Sequence, residues 1–181
     1  MYSTSFLVPV DGMTLTDQKS YRQGAINQAI GRALDLKIAT NPDDLSVRLI
    51  RAYSDLAVGT ASEEEWKHTL VAATANAIIT KTGRKANQLI VFYGLLDDDA
   101  NPQATLVTFK TASTGGTTKF IGDMQILWSK LVPEAMFSEA VVYDPQEDVY
   151  VDVNADGASV AGGERIVFLG FIVEPKGSVL S

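Results

Sequence analysis

The sequence predicts an α+β fold: an N-terminal antiparallel three-helix unit packed on a C-terminal, mostly antiparallel β-sheet or sandwich. Three observations lead there. Residues 12–84 place apolar side chains at helical spacing behind three helix-start signals. Residues 87–175 change to short runs rich in Val, Ile, Phe and Tyr. Turn-forming Gly, Pro, Asn and Asp separate those runs, with no long helix between them.

In the first predicted helix, Thr16 or Asp17 caps a stripe of Tyr21, Ala25, Ile26, Ala29, Ile30, Ala33 and Leu34. Gly24 and Gly31 cost helix propensity but leave room for a close neighbour. Asn41-Pro42-Asp43-Asp44 announces the second helix. Asparagine suits the N-cap, proline the first turn, and the two acids meet the positive end of the helix dipole. Its stripe is Leu45, Leu49, Ala52, Tyr53 and Leu56, ending near Gly59. Ser62-Glu63-Glu64-Glu65 reads as a capping box for a third helix carrying Trp66, Leu70, Ala73 and Ala77, with Gly83 as its stop.

Strands are predicted at Gln88–Leu95, Ala104–Thr111, Glu139–Tyr143, Asp148–Val153 and Arg165–Val173. Phe120–Leu131 fits either a short helix or a strand, closed by Pro133. The two halves meet around Thr82–Asn87 without a spacer. One domain over 1–181 is therefore expected, with terminal arms 1–11 and 176–181.

Composition narrows the function. With 46% hydrophobic and 20% charged residues the chain is of globular type. The absence of cysteine excludes disulfides, thiol chemistry and Cys-ligated zinc. Met1–Val10 has no basic residue and is broken by Pro9, so neither a signal peptide nor a membrane span is expected there. No run of 18 apolar residues occurs, and no membrane insertion is expected. The net charge of −7 is uneven: residues 1–86 hold 10 Lys+Arg against 9 Asp+Glu, the remainder 5 against 13. Nucleic acid is not expected as a direct partner, because phosphate contacts need clustered cations.

The candidate chemistry is thin. His68 is the only histidine. Two residues after Trp66 it turns about 200° from the helical stripe, which predicts a solvated side chain near Glu64. Asp152-Val-Asn154-Ala-Asp156-Gly157 opens like a calcium loop, with oxygen donors at alternate positions, but Gly163 stands where the bidentate glutamate belongs. The competing reading is a β-hairpin turn, leaving calcium as the only cofactor the sequence suggests. Asp97-Asp98-Asp99 is read as a solvated loop, since neighbours in a strand point to opposite faces. Thr111–Lys119 lacks the spacing of a phosphate loop and reads as a polar turn. Lys19, Arg22, Arg48, Arg51, Arg84 and Lys85 form a candidate basic patch on the helical half, open to an acidic partner.

No catalytic constellation emerges, and no enzyme is expected. The features favour a structural subunit of a multi-copy assembly, in the manner of a virus or phage particle protein (capsid, decoration or tail). Its partners would be copies of itself and other assembly subunits. Its location would be the virion, and otherwise the cytoplasm. The expected contacts are the apolar arms, Phe6, Leu7, Val8 and Val10 at one end and Val179 and Leu180 at the other, docking by strand addition. Two alternatives stand beside this reading. One is a small-ligand or carbohydrate-binding module walled by Trp66, Trp128, Tyr93 and Tyr143; the other is a metal–carboxylate enzyme built on Asp97–Asp99 or Asp152–Asp156.

Overall fold

The computed structural model describes residues 5–160 and 162–178. Strands dominate it. They are β1 (Leu7–Pro9), β2 (Leu45–Leu49), β3 (Lys67–His68), β4 (Ala75–Lys81), β5 (Leu89–Asp97), β6 (Ala104–Lys110), β7 (Thr118–Asp123), β8 (Glu134–Tyr143), β9 (Val149–Ala155) and β10 (Glu164–Pro175). The two α-helices are α1 (Leu15–Asp35) and α2 (Ala52–Leu56).

One sheet runs β1-β8-β5-β10-β2, with β3 added beside β10; the other runs β4-β9-β6-β7. Every pairing is antiparallel. The sheets face each other across a core rich in phenylalanine. Phe92 of β5 lies 5.2 Å from Phe109 of β6, and Phe120 of β7 stacks on Phe137 of β8 at 4.5 Å between ring centroids. Helix α1 covers the opposite face of the first sheet. Its Ala25, Ala29 and Ala33 pack with Leu89, Val91, Tyr93, Phe171 and Val173. Small side chains at four-residue spacing let the helix lie close to the sheet. Strand β5 is thus covered on both faces, which explains its unbroken run Leu-Ile-Val-Phe-Tyr.

The three-helix unit does not exist. Of the segment 12–84 only α1 is a long helix; β2 and β3 join β10 in one sheet and β4 joins β9 in the other. Helix α1 is capped two residues earlier than Thr16: Thr14 is its N-cap, and Asp17 completes a capping box with it. The signal at Asn41–Asp44 does start a helical turn, a 3-10 turn over Pro42–Asp44, but the chain then pairs with β10 from Leu45 onward. In this strand Leu45 is buried and Leu49 is 58% exposed. The supposed third helix is β3 and β4. The capping box does not form: Glu65 pairs with Lys67, and its neighbour Glu64 accepts the Tyr53 and Ser54 N–H groups at the first turn of α2. The ambiguous segment 120–131 divides between the end of β7 and a 3-10 turn over Gln125–Leu127.

Candidate functional site

Alternation along β2 turns Arg48 toward the short helix α2 and the end of β10. Its guanidinium forks onto Asp55, with Nη1–Oδ2 at 2.7 Å and Nη2–Oδ1 at 2.8 Å, while Nε donates to Glu174 Oε1 at 3.0 Å. The second oxygen of Glu174 accepts from Gln88 Nε2 at 3.0 Å. The Asp55 and Glu174 side chains are 5% and 1% exposed, and one arginine bridges both buried carboxylates. The Arg51 N–H also donates to Asp55 Oδ2, at 2.7 Å.

Arg84, on the connection from β4 to β5, closes the same region. Its Nη1 donates to the Asp144 and Glu147 carbonyls at 3.0 and 2.9 Å, and its Nη2 donates to the Gln88 carbonyl at 2.8 Å. Its Nε is buried and has no hydrogen-bond partner. Burial pulls the Arg84 pKa down to about 10, which leaves it charged at neutral pH. These side chains line a polar cleft of about 330 Å³ together with Arg51, Lys81 and Lys85. Five cations against two acids give it a net charge of +3 in a chain of net charge −7. Such a cleft attracts and orients oxyanions. Ser54, in the same wall, donates its hydroxyl to Glu64 Oε1. Four members of the predicted basic patch, Arg48, Arg51, Arg84 and Lys85, meet here; Lys19 and Arg22 lie on α1 and line a separate groove. Lys81 was missed, because its segment read as helix.

A second surface lies along β8. Strand β1 pairs with Ala135–Phe137 only, extended by the Ser138 N–H donating to the Phe6 carbonyl at 2.9 Å. Among the described residues no strand covers the outer edge of β8 over Ala140–Tyr143. A groove of about 480 Å³ runs between this edge and α1, walled by Tyr21, Gly24 and Gln28 on the helix and by Tyr93, Phe137 and Ala140 on the sheet. A methyl group added at Gly24 would meet nothing within 4 Å. The room predicted beside that glycine is therefore open space.

The other predicted site residues scatter. Leu7 and Val10 are buried in the protein's own core, Val8 is half-buried, and Phe6 is 57% exposed. Val179 and Leu180 lie outside the described residues. Asp152 and Asn154 sit on β9, where Asp152 pairs with Lys110, and Asp156 follows beyond the strand end. Alternate residues of a strand stand about 7 Å apart, which spreads the three side chains along the sheet. No group of three or more His, Asp or Glu side chains among the described residues is placed to hold a metal ion. The connection after Asp156 is not a hairpin, since β9 and β10 belong to different sheets. Thr111–Thr117 is the turn of the β6–β7 hairpin.

The candidate aromatic wall disperses likewise. Tyr143 is enclosed between the sheets, Trp66 packs on Phe168, Tyr93 stacks on Phe171, and Trp128 Nε1 donates to the Ala104 carbonyl. His68 is 4% exposed and not solvated; its Nε2 lies 3.1 Å from the Ile166 carbonyl. Burial pulls its pKa down to about 4.

The aspartate run divides by environment. Asp98 pairs with Arg165, and Asp99 accepts the Asn101 N–H. Asp97 is 1% exposed and neither of its carboxyl oxygens receives a hydrogen bond from a donor group. It faces Glu164, also 1% exposed, whose oxygens accept the Gln103 and Ala104 N–H groups at 3.0 Å each. Burial, and then the Glu164 charge, push the Asp97 pKa up to about 8. One proton held on Asp97 satisfies the pair, donated toward the Glu164 carboxylate. Nothing in the sequence marks Glu164 as its partner.

No helix among the described residues is long and apolar enough to cross a membrane. Comparison with protein-family profiles, with curated proteins and with solved structures finds no match to this chain.

Proposed function

We propose that this protein is a non-enzymatic structural subunit of a multi-copy assembly, of the kind that builds virus and phage particles, and that copies join by strand addition at the outer edge of β8. The single observation behind this reading is that, among the described residues, no strand pairs with the outer edge of β8 over Ala140–Tyr143, which the groove along α1 flanks. The occupant is an extended segment of a second copy. Strand β1 supports that choice, because the same edge already accepts one antiparallel arm from within the chain. An unpaired edge beside an apolar groove offers main-chain hydrogen bonds for affinity and side-chain pockets for register.

Light scattering coupled to size-exclusion chromatography over rising concentration tests the proposal. Association is expected for the native chain. Ala140→Lys, which projects a charge into the groove, is expected to yield a monomer with unchanged circular dichroism. A native chain that stays monomeric at the highest soluble concentration overturns the reading. So does a variant that associates as strongly as the parent.

A further inference from the structure

The basic cleft is not used by the strand-addition interface. We propose that it is a binding site for a phosphate-type oxyanion, either free or carried on a small molecule. Three independent features converge. First, Arg48 bridges the two acids that line the cleft, and among the described residues the ion pairs within 4 Å leave Arg51, Lys81 and Arg84 only the 3.8 Å approach of Arg51 Nε to Asp55, with Glu64 near Arg51 and Asp144, Glu147 and Asp148 near Arg84 on the far side of the wall. Second, Arg84 is 7% exposed and held in place by three backbone carbonyls, so the cleft wall carries a fixed positive charge. A fixed guanidinium loses little freedom when an anion arrives beside it. Third, the volume of about 330 Å³ lies at the small end of ligand sites and suits a phosphate or diphosphate group.

The geometry also favours an oxyanion over a long acidic chain. The cleft is a concave pocket whose cations come from β2, the end of β4 and the β4–β5 connection, so they converge on one volume. Arg48 contributes chiefly by position. Fixed by two buried acids, it sets the wall against which the other cations stand.

Thermal melting of the full chain at constant ionic strength tests the site, with pyrophosphate and a nucleoside diphosphate titrated separately. The expected result is a saturable rise in Tm of about 5–10 °C once ligand stands ~100-fold above its Kd. Equal shifts identify the free oxyanion as sufficient, and a larger shift with the nucleotide identifies a carried one. The double variant Arg51→Gln/Lys81→Gln removes two cations that are not needed for the buried network, and is expected to abolish the rise. Lys19→Gln/Lys67→Gln removes the same charge from surfaces outside the cleft and is expected to retain it. No rise with either ligand, or equal losses in the two double variants, overturns the proposal.

Discussion

The carboxyl group of Asp97, at the end of β5, lies against the carboxylate of Glu164, at the start of β10, and both are shut away from water at the rim of the sandwich. Glu164 holds the first N–H groups of β6, in the opposite sheet, so the acid pair sits where the two sheets are tied together. Its protonation is coupled to folding.

Asp97 ionises at about 8 in the folded chain against an ordinary value of 3.8. The folded state therefore holds a proton that the unfolded state has released, and stability falls as pH rises across that interval. Glu164, raised by burial, adds in the same direction. His68 acts oppositely: lowered to about 4 from 6.5, it costs stability as pH falls through that range. The two slopes oppose each other below pH 6.5, and above it only the acid pair contributes. Urea midpoints are expected to decline between pH 6.5 and 8. Asp97→Asn, which can donate to Glu164 at any pH, is expected to flatten that decline.

Removing Arg48 leaves Asp55 and Glu174 buried without a counter-charge. Arg48→Met is expected to cost roughly 3–5 kcal/mol in urea unfolding, as for other buried pairs broken on one side. Arg48→Lys keeps the charge but not the fork, and should recover only part of the loss.

Gly170 sits at the β10 bulge, where an added methyl would run into the Val91 carbonyl and the Ile50 side chain. Gly170→Ala is expected to cost about 1–3 kcal/mol, because the obstructing backbone belongs to the central strand pair. Gly24→Ala, with open space around it, is expected to be neutral or slightly stabilising through helix propensity. The contrast between the two in one denaturation series checks the packing.

Thr14→Ala removes the N-cap of α1 and is expected to cost about 1 kcal/mol. The loss should appear as faster amide exchange in the first turn, before any change in the sheet.

The strands of the second half were legible because Gly, Pro and Asp punctuate apolar runs of the right length, and β5, β6, β8, β9 and β10 overlap the runs predicted from them. The first half misled for a physical reason. Leu45, Leu49, Ala52, Tyr53 and Leu56 do fall at helical spacing, but Leu45–Leu49 finds unpaired backbone on β10, 122 or more residues away in the chain, and that pairing overrides the local period. The same error hid the cleft. Read as helix, Lys81 had no reason to stand near Arg48; placed on β4, it lines the same walls. The Asp97–Glu164 pair was illegible because only the closed sandwich brings those positions together.

The position of β10 within its sheet constrains how the molecule is made. This strand bridges β5 on one side and β2 with β3 on the other, yet it follows all three in the sequence. On a ribosome, β2 and β5 emerge with their edges bare and wait for a partner not yet translated. So many distant pairings slow folding and prolong the exposure of sticky intermediates. The first sheet of this polypeptide is expected to close only after synthesis of β10, and holding chaperones should raise its yield.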